Sequence, residues 1–564
     1  MVSVLNSTSF VCKEDNQKLH EECGVFGICA PNEELDPAVA CYNGLLALQH
    51  RGQEGCGIAV NNDGVLSYSK DMGLVTDVFN AECIGKLKGQ MGVGHVRYSK
   101  AADNVRENVQ PLVMRYVKGS IAIVYNGVLT NAYDLRHELE GTGAIFQTTT
   151  DPEIISYLIA KERVNAPSIE VAIQKVMSYL EGAYSMILMS PQKMIVVRDP
   201  HGIKPLCMGK IGTATVFSSE STGLDAVGAD FERDVAPGEI VVVKRGNVKS
   251  LFAETKAKKT PCIFEYIYFA RDDSVIDGVS VYEARKESGR LLARQHPVDA
   301  DLVIGVPESG IDAAIGYSEE SGIHYEKGIV KNGYIGRTFI RPTQAERERG
   351  VKIKLNPLTS AIAGKRIVVL DDSIVRGTTS ARIIKMLKDA GAKEVHLRIS
   401  SPPFIKACYY GSDIGSENEL IAAQKSIEEI KEMVGADSLG FLEVDSLKDI
   451  IHSENCEFCD ACFTGNYPTP ISERLLRGCL LYTSLGGAAD AVISIADATC
   501  PARSLYLTLQ LLELGVPVVL ALNVICLLYT SSGVSQRNSS TARPSSHWLR
   551  TAAAAAATEA SAAV

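Results

Sequence analysis

Three stretches of this sequence carry residues whose types and spacing could do chemistry. The first is Glu22-Cys23-Gly24-Val25-Phe26-Gly27-Ile28, a cysteine at the head of a β-rich run behind a short polar leader. A thiol attacks well only as thiolate and so needs a base nearby. Were the chain cut before Cys23, its own α-amino group, with a reference pKa of about 8, would serve. The second is Asp371-Asp372-Ser373-Ile374-Val375-Arg376-Gly377-Thr378-Thr379-Ser380, directly after the β-branched run Arg366-Ile367-Val368-Val369-Leu370. Strand, tight turn and helix in that order place backbone N–H groups and hydroxyls at the carboxyl edge of a sheet, a cradle for a 5′-phosphate. The acid pair can accept ribose hydroxyl protons or hold Mg²⁺. The third is Cys456-x-x-Cys459-x-x-Cys462, two overlapping C-x-x-C pairs that suit redox or zinc chemistry.

These residues need elements to hold them. Up to Val243, short β-rich runs alternate with turn signals: Gly24–Cys29, Gly57–Asn61, Ile121–Tyr125, Tyr184–Met189, Met194–Arg198 and a second set from Ala214. Helical periodicity is best at Asp36–His50, Pro152–Lys161 and Ser168–Leu180. This predicts an α+β domain, with the charged, glycine-containing stretch Lys244–Lys259 as linker. Beyond it come predicted strands at Leu302–Val306, Gly328–Val330, Arg366–Leu370 and Glu394–Ser400, and a helix at Thr379–Ala390. Such alternation predicts a parallel sheet with crossover helices.

The 564 residues suggest several domains, and 46% apolar with 22% charged residues excludes disordered, collagenous and coiled-coil classes. Lys and Arg number 57 against 67 Asp and Glu, a net charge of −10, which gives no electrostatic footprint for nucleic acid or an anionic membrane. Residues 1–22 lack an apolar signal core and no long uninterrupted apolar run follows, so a cytoplasmic protein is expected. In that compartment the fifteen cysteines are metal ligands, nucleophiles or core residues rather than disulfides, and Cys29, Cys41, Cys56, Cys83 and Cys207 read as core.

His50-Arg51-Gly52-Gln53-Glu54-Gly55, Gly94-His95-Val96-Arg97-Tyr98-Ser99, Tyr125-Asn126-Gly127-Val128-Leu129-Thr130-Asn131 and Thr149-Thr150-Asp151 follow Cys23 in order. On these strings the chain resembles the N-terminal-nucleophile glutamine amidotransferases. The resemblance implies Cys23 as nucleophile, Asn126 and Gly127 as oxyanion hole, and Arg97 and Asp151 as holders of the α-carboxylate and α-amine of glutamine. One cation and one anion are what a zwitterion requires. The Asp371–Ser380 string resembles the type I phosphoribosyltransferase signature. Together the two resemble the amidophosphoribosyltransferase family over residues 23 to about 470, with support from Phe264–Arg271 and Gly305–Gly310.

That resemblance implies an α+β N-terminal-nucleophile hydrolase domain, an αββα sandwich, followed by an α/β type I phosphoribosyltransferase domain with a parallel sheet. The expected division is propeptide 1–22, amidotransferase 23–250, transferase 251–478 and tail 479–564. Asp371, Asp372, Ser373, Arg376, Gly377, Thr378, Thr379 and Ser380 would bind phosphoribosyl diphosphate, with Lys331 and Arg337 from a closing loop. Gly333 in that loop stands where many relatives have Arg or Lys. Ser309, Asp371 and Asp372 would hold one Mg²⁺ per subunit. Cys262, Cys408, Cys459 and Cys462 are implied as ligands of one [4Fe–4S] cluster per subunit, although thiolate spacing alone suits Cys₄ zinc equally well, and Cys456 is then spare. The expected partners are glutamine and phosphoribosyl diphosphate, purine nucleotides as feedback inhibitors, and further copies in a homotetramer. Other glutamine-dependent synthases lack Asp371–Ser380, and a non-catalytic sugar-diphosphate-binding regulator would not need the Cys23 set.

The tail differs from the rest. From Cys479 to Val564 only eight of 86 residues are charged, against 22% for the whole chain, and Cys-Leu-Leu-Tyr-Thr-Ser occurs at both 479–484 and 526–531. The hexapeptide matches a translated transposase-end adapter, so the segment is expected to be foreign, joined by two scars. Between the copies, Ala489–Ile493, Asp497–Thr499 and Leu505–Asn523 resemble part of the GTPase domain of ferrous-iron transport protein B. The phosphate loop is missing there, so no GTP binding is expected.

Overall fold

A computed structural model describes residues 23–31, 35–98, 104–255, 257–332, 355–412, 414, 417–451, 457–472, 492–497 and 518–523. The leader 1–22, Gly333, Arg337, Cys456 and most of the tail lie outside the described residues. The chain divides into two compact units, residues 1–471 and 472–564.

The first part of unit one contains two antiparallel sheets, of seven and six strands. In the first, β1 (Gly24–Cys29) runs between β2 (Met91–Arg97) and Ala214–Ser218. In the second, β3 (Gly119–Leu129) pairs with β4 (Gly182–Met189). Strand alternation sorts the side chains: Val25 and Cys29 join Val93, Val124 and Ile187 in one apolar layer. Phe26 and Ile28 point the other way, into a cluster with Leu45 of α1 (Pro37–Ala47). The second sheet's other face packs Ile123 and Ile195 with Ile155 and Ile159 of α2 (Asp151–Arg163). The layers are thus helix, sheet, sheet and helix, as expected.

The later part is a four-stranded parallel sheet in the order β5 (Leu302–Gly305), β6 (Arg366–Asp371), β7 (Glu394–Ile399), β8 (Ser438–Phe441). On one face Val303, Val368 and Leu370 meet Leu292 of α3 (Val281–Gln295) and Tyr317 of α4 (Ile311–Ser321). On the other, Ile367, Val369 and Val395 meet Ile383 and Leu387 of α5 (Thr378–Asp389). Both faces are covered, which is why Leu302–Gly305 and Ile367–Leu370 read as continuous apolar runs.

Two expectations need correction. The run at Gly328–Val330 does not join the parallel sheet: Ile329–Lys331 pairs antiparallel with Leu355–Pro357. Its apolar content is satisfied locally, because Ile329 buries in the cluster that holds Ile304. The expected linker Lys244–Lys259 begins as structure: Asn247–Phe252 pairs with Glu239–Lys244 around a turn in which Arg245 and Gly246 have φ of 50° and 79°. Helices α3 and α4 escaped the periodicity because they cross on small residues. A Cβ on Gly289 would come within 1.9 Å of the Ala313 carbonyl oxygen.

Unit two shows, among the described residues, one parallel pair, Val492–Asp497 with Val518–Asn523.

Candidate active sites

Cys23 stands just before β1, and its Sγ donates to the carbonyl oxygen of Tyr98 at 3.5 Å. The β1–β2 register, Gly24 opposite Val96, sets it beside Arg97. One residue inward, His95 lies opposite Val25 and its Nε2–H donates to the Tyr125 carbonyl at 3.0 Å. Burial, and then the neighbouring Arg97, lower the His95 pKa to about 3, so the ring is neutral and this tautomer is fixed. That bond ties the β1–β2 edge to β3 immediately before Asn126.

Asn126 is buried, and its Nδ2 has no hydrogen-bond partner among the described residues. A buried donor without an acceptor is costly and uncommon unless a ligand supplies one. Gly127 follows with φ of +142° and packs so tightly on β4 that a Cβ would stand 2.0 Å from the Ala183 oxygen. Asp151, the first residue of α2, leans over the same strand: its Oδ2 accepts from Leu129 N at 2.8 Å and Tyr125 OH at 3.3 Å. The turn Arg106–Asn108 connects the two expected glutamine holders. Arg97 Nη1 donates to Val105 O at 3.2 Å, and Asn108 Nδ2 donates to Thr149 Oγ1 at 2.8 Å. Cys23, Arg97, Asn126, Gly127 and Asp151 are thereby linked through short contacts of their immediate neighbours.

The second site lies at the carboxyl end of β6. Asp371 and Asp372 are buried, and Ser400 N donates to the Asp371 carbonyl oxygen at 3.0 Å. Asp372 accepts from both Ser309 Oγ and Ser373 Oγ. The loop carrying Ser309 is pressed onto β6, since a Cβ on Gly310 would be 2.2 Å from the Leu370 oxygen. Gly377, at φ 77°, turns the chain into α5, whose N-terminus has no side-chain cap. The first-turn N–H groups there suit an anion. Thr378 is exposed, Thr379 half-buried and Ser380 buried. Two expected cations have protein partners: Arg376 Nη2 donates to Glu419 at 2.7 Å, and Lys331 Nζ to Glu308 at 3.1 Å. Arg337 lies outside the described residues.

Cys262, Cys408, Cys459 and Cys462 line one small cavity, together with Lys204 and Phe264. Cys262 and Cys459 are bridged by main chain: Cys459 N donates to Pro261 O at 2.8 Å and Ile263 N to Cys459 O at 3.2 Å. Burial pushes the Cys459 thiol up to about 12 and raises the Cys462 thiol well above its ordinary value. Among the described residues, no three His, Cys, Asp or Glu side chains are drawn together as around a single ion. Of the expected core cysteines, Cys29, Cys41, Cys56 and Cys207 are buried. Cys83 is only half-buried, because its helix Ala81–Lys86 buries no residue.

The strings His50-Arg51 and Phe264–Arg271 carry no role that the sequence alone assigns. The structure brings Arg51 against Cys23 O, Glu220 and Glu265. No helix among the described residues is long and apolar enough to cross a membrane.

The fold and its two sites define a glutamine amidotransferase of the N-terminal-nucleophile class joined to a phosphoribosyltransferase of type I. A glutamine amidotransferase domain model matches residues 95–226, and a ferrous iron transport protein B model matches residues 469–534. An amidophosphoribosyltransferase of Methanothermobacter thermautotrophicus is 46% identical over 454 residues, covering 80% of this chain and 96% of the relative. The solved structure of glutamine phosphoribosylpyrophosphate amidotransferase from Bacillus subtilis, complexed with ADP and GMP, superposes with a TM-score of 0.75 at 46% identity, covering 80% and 98%. A structure described as the allosteric regulatory enzyme of purine biosynthesis gives 0.76 at 47%, covering 80% and 97%. The chain belongs to the amidophosphoribosyltransferase family.

Proposed function

We propose that the two parts of unit one divide a single reaction between them. The overall reaction transfers the amide nitrogen of glutamine to 5-phosphoribosyl 1-diphosphate, giving 5-phosphoribosylamine, glutamate and diphosphate, and it opens de novo purine synthesis. Arg97 takes the α-carboxylate of glutamine and Asp151 its α-amine. Cys23 Sγ attacks the side-chain amide carbon, with the Cys23 α-amine as base once residues 1–22 are removed. The oxyanion accepts from Asn126 Nδ2–H and Gly127 N–H. Its collapse expels ammonia and leaves a γ-glutamyl thioester, which water hydrolyses. Two such donors, aimed where charge develops, are each worth about 3–4 kcal/mol.

Ammonia then passes internally and displaces diphosphate from C1 of the sugar. The first turn of α5, with Thr378, Thr379 and Ser380, holds the 5′-phosphate, with Ser373, Arg376 and Gly377 shaping the loop. Asp371 and Asp372 accept from ribose hydroxyls. Lys331 brings one cation to the diphosphate, and Arg337, outside the described residues, is the second cation that the family resemblance implies. The hard oxygen set of Ser309, Asp371 and Asp372 fits Mg²⁺, which when bound neutralises the leaving diphosphate. Four thiols lining one cavity suit a [4Fe–4S] cluster, the group that family membership favours, although four thiolates would hold one zinc as well. When bound, the cluster would tie Cys262, just past the linker region, to the rest of the transferase domain and its C-terminal segment, in a structural and oxygen-sensing role.

The enzyme is further read as a cytoplasmic homotetramer inhibited by purine nucleotides; the ADP and GMP of the Bacillus subtilis structure support the inhibition. One observation carries the reading of the reaction. A single compact unit holds both an unpartnered buried amide donor at Asn126 and a buried acid pair at the edge of a parallel sheet. Cys23→Ala tests it: glutamine-dependent synthesis should vanish while ammonia-dependent synthesis persists, and loss of both would overturn the division of labour.

A further inference from the structure

The guanidinium of Arg51 touches both parts of unit one. Its side chain is fully buried, in the 3₁₀ turn Gln49–Arg51 that follows α1. Nε donates to the carbonyl oxygen of Cys23 at 3.2 Å. Nη1 donates to Glu220 at 2.6 Å and to Glu265 at 2.9 Å, and Nη2 donates to the other oxygen of Glu265 at 2.7 Å. Glu220 belongs to the sandwich. Glu265 opens the π-helical turn Glu265–Phe269, three residues after Cys262, and that turn leads into the transferase part.

The surroundings show what this cation holds in place. A Cβ on the adjoining Gly52 would lie 2.5 Å from the Arg97 carbonyl carbon, and Glu54 N donates to Arg97 O at 3.0 Å. The turn bearing Arg51 therefore rests on the backbone of the glutamine-carboxylate arginine. Glu220 is shared in the same way: its second oxygen accepts from Arg271 N at 2.9 Å and Ser274 Oγ at 2.6 Å. Burial alone would raise the Glu220 pKa, but His50 and Arg51 beside it, with hydrogen bonds from His50 and Ser274, carry it well below the usual carboxylate range. A buried arginine between two carboxylates is no more stabilising than well-packed apolar side chains would be. What it adds is a fixed direction, since a planar fork bonded on three sides cannot turn.

We propose that Arg51 is a positioning residue for amide hydrolysis, and that Glu265, from outside the sandwich, completes it. The Arg51–Glu265 pair fixes the main chain of Cys23 and with it the approach of Sγ to the carbon held under Asn126 and Gly127. The glutaminase site is then complete only when the Phe264–Arg271 segment is docked. This rests on Cys23 being the nucleophile.

The test uses the full chain with Glu265→Gln, Glu265→Asp and Cys23→Ala, each assayed for glutamine hydrolysis and for ammonia-dependent synthesis. Glu265→Gln should lower kcat for hydrolysis about tenfold or more, with the glutamine KM and the ammonia-dependent rate each within about twofold of wild type. Glu265→Asp keeps the charge and should recover part of the loss. An unchanged kcat in Glu265→Gln overturns the proposal, and so does an equal fall of the ammonia-dependent rate, which marks a merely structural role. If Glu265→Gln is insoluble, Glu265→Asp decides by the same criterion, a fall in kcat alone supporting the proposal. Cys23→Ala separates the two readings: if it still hydrolyses glutamine, the nucleophile assignment falls, whereas a dead Cys23→Ala beside a normal Glu265→Gln removes only the positioning role.

Discussion

Gly127, opposite Tyr184 in the β3–β4 pair, lies so close to Ala183 that a methyl group on the glycine would sit 2.0 Å from the alanine's carbonyl oxygen. With φ at +142°, the position also excludes ordinary side chains by conformation. Gly127→Ala must therefore shift β3 or β4 and carry the Asn126 amide with it. The expected outcome is a loss of glutamine-dependent activity of about 100-fold or more, with a destabilisation of roughly 1–3 kcal/mol. Parallel glutamine and ammonia assays, with a thermal melt, check it.

Asn126→Ala removes the donor while leaving the strand intact. Because Nδ2 has no partner among the described residues, its deletion breaks no internal hydrogen bond there. The expected result is a fall in kcat for glutamine of about 10²–10³, with KM nearly unchanged, since the donor acts on the developing oxyanion. A rise in KM with kcat preserved would place Asn126 in substrate binding instead.

How far the sequence disclosed these sites depended on how contiguous each was. Asp371–Ser380 was legible because strand, turn and helix start are consecutive, so ten residues hold most of the phosphate cradle. The order of Cys23, Arg97, Asn126 and Asp151 was legible through family resemblance, but not why Asn126 has a free donor, which needs burial to decide. Arg51 and Glu265 are 214 residues apart, and no pattern along the chain pairs them. The strand at Asn247–Phe252 reads as linker because polar Asn247, Lys249 and Ser250 mask a strand that only pairing with Glu239–Lys244 makes visible. Ile329–Lys331 shows the opposite error: β-propensity located a strand without saying which sheet it joins.

Asp372→Asn probes the second site independently. The carboxylate is buried and accepts from Ser309 and Ser373. Replacing one oxygen by an NH₂ group sets donor against donor and removes a hard anionic ligand. Synthesis from either glutamine or ammonia should fall by about 100-fold or more, since charge stabilisation at the leaving group is lost. Hydrolysis of glutamine alone, measured as glutamate release, should persist.

Removing one thiol from the cavity tests the cluster assignment by composition rather than rate. Cys459 and Cys462 are buried, and as isolated thiols they are neutral because burial raises their pKa values. A bound iron–sulfur core makes such sulfurs thiolate ligands. Anaerobically purified protein should contain about four iron and four sulfide per chain. Cys459→Ala should lose most of both, together with the visible absorption. Zinc at about one per chain in the unaltered protein would instead identify a Cys₄ zinc site.

Asp312 gives a pH dependence with a definite sign. It is buried in the first turn of α4, and its Oδ2 has no hydrogen-bond partner among the described residues. Burial, and then Asp272, raise its pKa to about 6, against the opposing pull of Arg285 and Lys286. Between roughly pH 4 and 6 the folded protein keeps this proton while the unfolded chain has lost it, so stability falls as pH rises through that window. Above pH 6 the penalty is constant, at about 1–2 kcal/mol once residual solvent screening is allowed for. Asp312→Asn cannot titrate and should escape the penalty. Its melting temperature should match wild type near pH 4 and exceed it by a few degrees at pH 7.5. Melts at the two pH values check this, and an advantage that is equal at both would exclude Asp312 as the titrating group.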